Sequence, residues 1–137
     1  HRDLHSFPTR RSSDLFSSAE GYYSTVLHEL GHWTGHESRL NREIRNFFGT
    51  EKYAKEELRA EIASYMLSEK IGIPFDPGNH VAYVASWIED LKESPKEILN
   101  AANDAERITN FLLAPTRELS KGASIQDNAK ESSMALA

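Results

Sequence analysis

The chain has 137 residues, no cysteine and a formal charge of −5. That length suits one modest domain with its own core. The lack of cysteine excludes disulfides, thiolate metal sites and cysteine nucleophiles. No apolar run approaches the roughly 18 residues of a membrane span, and the mildly acidic balance leaves no basic footprint for nucleic acid. Any metal ion must therefore be held by His, Asp and Glu.

Residues 1–15, HRDLHSFPTRRSSDL, show neither helical nor strand period. They resemble the translation of a short-read sequencing adapter and are set aside as an artefact of that origin. On that reading the genuine chain starts near Phe16 and has lost sequence before it. Ser17-Ser18-Ala19-Glu20 has the spacing of a capping box. Tyr22, Tyr23, Val26, Leu27, Leu30 and Trp33 then recur at the helical period. They predict a first helix from 19 to about 34, with that face on the core and Gly35 as its stop.

Residues 36–50 read as a loop with an apolar knot at Ile44, Phe47 and Phe48. Thr50 caps a second helix over 51 to about 70, ended by Gly72 and Pro74. Asn79 caps a third helix from 80 to about 93. Ser94 followed by Pro95 restarts a fourth, which runs to about 113 and is closed by Pro115. Residues 114–137 are rich in Ser, Lys, Ala and Asn, lack a period, and are expected to form a disordered tail. The expected organisation is an artefact over 1–15, one domain over 16–113 and a tail over 114–137. No strand is convincing, so the fold class is mainly α.

His28-Glu29-Leu30-Gly31-His32 matches H-E-x-x-H within the first predicted helix. Residues four apart share a helical face, so both imidazoles can reach one metal ion. Glu29 sits about 100° further round the helix, where it can serve a water bound to that ion as general base. The same pair on a surface helix would be incidental, but Val26 and Leu30 beside it are expected to pack.

A catalytic zinc site usually has a third protein ligand. The longer pattern H-E-x-x-H-x-x-G-x-x-H holds through Gly35 but meets Ser38 where its last His belongs. His36 lies two positions early and would have to bend back. Glu57, in Glu57-Leu58-Arg59-Ala60-Glu61, resembles the second-helix element of gluzincins. There the Glu binds zinc, and the acid four residues later hydrogen-bonds a ligand histidine. Glu57 and Glu61 share a helical face, and Ala60 is small enough for two helices to approach closely. The bland alternative is a solvated charged face, because Glu51, Lys52, Lys55, Glu56 and Arg59 lie nearby. Glu56 is a further candidate ligand.

The segments YYSTVLHELGHWTGHESRLNRE, KEELRAEIASYMLSEKIGI and HVAYVASWIEDLKESPKEILNAANDAERITNFLL resemble the zincin-like metallopeptidase domain of ArdC-type antirestriction proteins. The same domain occurs in polyvalent phage and plasmid proteins. The resemblance implies a minimal gluzincin fold whose N-terminal sheet is truncated here. It implies Zn2+ held by His28, His32 and Glu57, with Glu29 as base and Glu61 behind a ligand histidine. It also implies a peptide or protein substrate, action in bacterial cytoplasm, and DNA contact only through an upstream domain. The rival function is a metal-stabilised, non-catalytic domain of a DNA-protecting protein. His80 and Tyr83, at the start of the third helix, are possible oxyanion donors. Trp33 and Trp87 are expected in the core, and Arg39, Arg42 and Arg45 on a solvated face.

Overall fold

Four helices carry the fold: α1 Ala19–Trp33, α2 Glu51–Ile71, α3 His80–Asp90 and α4 Lys96–Ala135. The structure, a computed structural model, describes residues 18–76, 78 and 80–135, with 116–135 as backbone alone. The adapter-like residues 1–15 and the expected Asn79 cap lie outside the described residues. No strand occurs among those described, and the architecture is mainly α.

Local chemistry sets the helix ends. Ser18 caps α1, its Oγ accepting from Gly21 N at 3.1 Å. The third residue after the cap is thus Gly21 rather than Glu20, and the expected box is replaced by a simple cap. Thr50 caps α2 by accepting from Tyr53 N, and Gly72 ends it with φ 75°. Only glycine takes that left-handed conformation without strain. Gly35, expected to stop α1 in the same way, has no positive φ; the cap is Thr34 at φ −64°. Gly35 is small for another reason, since a Cβ there would run into Ile44 Cγ2.

α2 is the central element and packs on the other three. Its Tyr53, Ala54 and Leu58 join Trp87, Leu91 and Ala101 in one apolar cluster. Ala63 joins Ala105 and Ile108 in a second, flanked by Ile62, Met66 and Leu112. α4 differs from the sequence expectation, because its helical backbone continues through Pro115 to Ala135 where a disordered tail was expected. Proline removes one N–H, the donor that would reach Phe111 O, but an established helix needs no new nucleus to propagate past it. The residues beyond are mostly Ala, Glu, Lys, Leu, Gln and Ser, several of them good helix formers.

The face by which α1 meets α2 also differs. Tyr22, Tyr23, Val26, Leu30 and Trp33 are exposed, and the buried residues are Ser24, Leu27, His28 and Gly31. Periodicity identifies an apolar stripe, but it does not say which face the neighbouring helix covers. Here α2 takes the small and polar face, because the close approach needs it. A Cβ on Gly31 would meet Ala60 Cα at 3.1 Å. Ser64 Oγ donates to Ser24 O at 2.8 Å and ties the same two helices one turn away. Gly31→Ala is therefore expected to push α1 off α2 and to destabilise the chain by about 1–3 kcal/mol, as read by urea denaturation. Unchanged stability would mean that this contact is loose.

Candidate metal centre

The close approach of α1 and α2 brings His28, His32 and Glu57 to one point. His28 Nε2 and His32 Nε2 are 3.1 Å apart. Glu57 lies 3.3 Å from the first through Oε2 and 3.4 Å from the second through Oε1. Ligand atoms at about 2.0–2.2 Å from one tetrahedral ion stand roughly 3.3 Å from each other. The three separations are close to that length, with Glu57 meeting the two nitrogens through different oxygens, and one ligand atom from each residue can be brought to a single ion. Two imidazoles and one carboxylate, leaving a fourth position open, are a donor set that zinc favours. His28 and Glu57 are buried, so their charges are little screened by water.

Each histidine is braced from behind. His28 Nδ1 lies 2.8 Å from Glu61 Oε2, and His32 Nδ1 lies 3.2 Å from Glu56 Oε1. An ionised carboxylate only accepts, so both Nδ1 atoms carry a proton, and in the neutral imidazoles that bind a metal both Nε2 lone pairs face the centre. Glu56 is itself held by two arginines. Arg42 NH2 donates to its Oε1 at 2.8 Å, and Arg59 NH1 to its Oε2 at 3.2 Å. Arg42 also donates to Gly31 O and Thr34 Oγ1, both at 2.9 Å, and so caps the C-terminal end of α1.

Without a metal ion, this packing of acids against imidazoles moves their titrations. Burial alone would lower both histidines and raise the acids, but the mutual hydrogen bonds and charges prevail. Burial opposes the proton on His28, while the hydrogen bonds of Glu57 and Glu61 outweigh it and raise the pKa. His32 is raised to about 9 in the same way by Glu56 and Glu57. Glu57 falls to about 2 beside His28 and His32, and Glu61 to about 2 beside His28 and His80, in both cases against burial. The histidine contribution to metal-free stability is complete below 6.5 and is lost as pH rises towards 9. The carboxylate contribution is complete above 4.5 and is lost as pH falls towards 2. The chelated chain is thus expected to be most stable between those limits in a urea series against pH. A stability that keeps rising from pH 7 to 9 would contradict the pairing.

The other sequence candidates fall in different places. Glu29 is exposed on α1, next to His28, and makes no hydrogen bond or ion pair among the described residues. His36 is exposed in the following loop, its Nδ1 engaged by Ser38 at 2.8 Å, and it does not join the centre. His80 reaches the cluster by a hydrogen bond to Glu61, its Nδ1 3.0 Å from the same Oε2, and by an edge-to-face ring contact with His28. Tyr83 is exposed and stacks on Trp87, with ring centroids 6.1 Å apart. Trp87 is buried as expected, but Trp33 is 51% exposed beneath the Arg39 guanidinium. Arg42, expected on a solvated face, is mostly covered instead, with its guanidinium held by Glu56, Gly31 O and Thr34 Oγ1. Sequence reading missed its role and that of Glu56 as a brace. The adjacent Glu56-Glu57 pair held the only clue, since the two point about 100° apart on a helix.

The sequence model of the zincin-like metallopeptidase family matches residues 2–104, a range that takes in most of the adapter-like segment. A protein named DNA primase TraC from Escherichia coli is 63% identical over 99 residues, which are 72% of this chain and 9% of that protein. An uncharacterized protein, y4eC, from Sinorhizobium fredii is 35% identical over 100 residues, 72% of this chain and 33% of that one. Among solved structures, the Mn(II)-bound crystal structure of antirestriction protein ArdC from plasmid R388 superposes with a TM-score of 0.61 at 43% identity. That alignment covers 73% of this chain and 37% of ArdC. The chain thus spans a minor part of the length of each of these relatives. A match that runs from α1 into α4 settles the family: the chain belongs to the zincin-like metallopeptidases.

Proposed function

We propose that this domain is a zinc-dependent peptidase within a larger antirestriction-type protein of a plasmid or phage. The observation that carries the reading is the convergence of His28 Nε2, His32 Nε2 and the Glu57 carboxylate within 3.1, 3.3 and 3.4 Å of one another, with both histidines braced by carboxylates. The Mn(II) in the ArdC structure supports a divalent ion on this scaffold. When bound, the ion supplies Lewis acidity to a substrate carbonyl and to a water molecule.

The chain's own residues do the rest. His28, His32 and Glu57 would hold the ion. The Glu29 carboxylate stands exposed beside His28, where water and substrate can reach it. It takes a proton from the water that attacks the carbonyl carbon, and returns it to the nitrogen as the C–N bond breaks. Glu61 and Glu56 keep the two imidazoles in one tautomer and orientation throughout. The substrate is a peptide or protein, and the site is bacterial cytoplasm. DNA contact belongs to other parts of the larger protein, as the names primase and antirestriction suggest for the relatives. Among the described residues no helix is long and apolar enough to cross a membrane.

Glu29→Gln in the full-length carrier protein is the test. Hydrolysis should fall by about 10²–10⁴-fold, the usual worth of a general base, with zinc content unchanged. An unaltered biological effect of this variant would instead favour a metal that only ties helices together in a DNA-protecting protein.

A further inference from the structure

Glu61 is shared. Its Oε2 lies 2.8 Å from His28 Nδ1 and 3.0 Å from His80 Nδ1. Since the carboxylate only accepts, both imidazoles donate to one oxygen. His80 belongs to the first turn of α3, so this bond links a third helix to the α1–α2 centre. The His28 and His80 rings meet edge to face with centroids 5.5 Å apart. His80 is mostly covered, its side chain 18% exposed, which is unusual for a polar residue at a helix entrance.

A lone carboxylate bonded to one histidine could still swing about its Cγ–Cδ bond. A second donor on the same oxygen, from a different helix, removes that freedom. We propose that His80 is a positioning residue of the metal centre: its Nδ1–H fixes Glu61, which in turn holds His28 with Nε2 towards His32 and Glu57. The inference rests on the metal-binding reading given above. His80 touches neither the open position nor Glu29 by any polar contact among the described residues. It therefore acts on the metal through Glu61 and not on substrate.

The same three side chains could hold a second ion, since His28, Glu61 and His80 each offer a ligand atom there. That arrangement would force His28 to bridge two ions through both nitrogens, whereas 2.8 and 3.0 Å are hydrogen-bond lengths.

Zinc affinity by chelator competition separates these. The set is the unaltered chain, His80→Ala, His80→Asn, His80→Gln, Glu61→Gln and the double variant His80→Ala/Glu61→Gln. Loss of an outer partner typically loosens a metal by about 10–100-fold. His80→Ala, one step further out, should loosen zinc by about 3–10-fold, at the lower end of that range. His80→Asn places an N–H near the Nδ1 position and should restore affinity. His80→Gln, whose amide mimics Nε2 instead, should not. The double variant should bind no more weakly than Glu61→Gln alone, because the two residues act in series. Cobalt-loaded His80→Ala and Glu61→Gln should share one shift in visible absorption, which a remote packing defect would not produce.

Additive losses in the double variant, or equal losses in the Asn and Gln variants, would overturn the role of His80. So would two zinc ions per chain. If the alanine variant melts early, the Asn and Gln pair carries the comparison. An unaltered chain that binds no zinc would sink the metal reading itself, whereas tight binding with additive losses sinks only the inference about His80.

Discussion

Glu57→Ala is expected to lose zinc by more than the roughly 100-fold that outer-shell changes reach, while His36→Ala leaves affinity unchanged. Glu57 touches both Nε2 atoms of the histidine pair across the α1–α2 contact. His36 is engaged by Ser38 in an exposed turn. Removing the carboxylate also leaves two largely covered imidazoles facing each other 3.1 Å apart without the acid that met both of them. The metal-free variant should then titrate its histidines lower than the unaltered chain, as followed by NMR. Chelator competition on the two variants decides the third ligand. Equal zinc loss in both would show that the loop, not α2, completes the site.

The second large effect lies behind His32. Glu56 is 2% exposed and accepts from Arg42, Arg59 and His32 together. Glu56→Leu leaves the Arg42 guanidinium without its carboxylate in a place that is only 9% exposed. Stripping one partner from a buried ion pair typically destabilises by about 3–5 kcal/mol, a large part of the stability of a domain of this size. Arg59 suffers less, because it also donates to Asp104 at 2.7 Å. Urea denaturation of the chelated variant reads the loss. A change below about 1 kcal/mol would mean that the cluster behaves like a surface ion pair. Zinc affinity should fall as well, since His32 loses the acceptor that fixes its tautomer.

Much of this was legible in the sequence because it depends on spacing along single helices. Thr50 and Gly72 mark α2 at both ends by their own local chemistry. His28 and His32, like Glu57 and Glu61, share faces because each pair is four residues apart. The proximity of His28, His32 and Glu57 therefore follows once two helices are brought side by side. What stayed hidden depends on which faces meet. The apolar stripe of α1 promised a core contact, yet only its Leu27 is buried, and Gly31 and Ala60 draw α2 to a smaller face beside it. Arg42 lies in a loop whose alternating charges suggest solvent, and only the fold shows its guanidinium enclosed under α1 by Glu56 and two oxygens of that helix's last turn. The link from His80 to Glu61 spans 19 residues and two helices, and no local period reports it. Pro115 signals a helix end by its own chemistry, and the continuation of α4 past it reflects propagation from a packed helix.

If α1 and α2 together make one metal site, zinc content reads it directly. The purified chain, loaded and freed of loosely held metal, should carry about one zinc ion by elemental analysis, the occupancy of a single tetrahedral site. The His28→Ala variant, folded by circular dichroism, should carry none. A folded, unaltered chain without zinc, or a His28→Ala variant that keeps it, would show that the two helices form no such site.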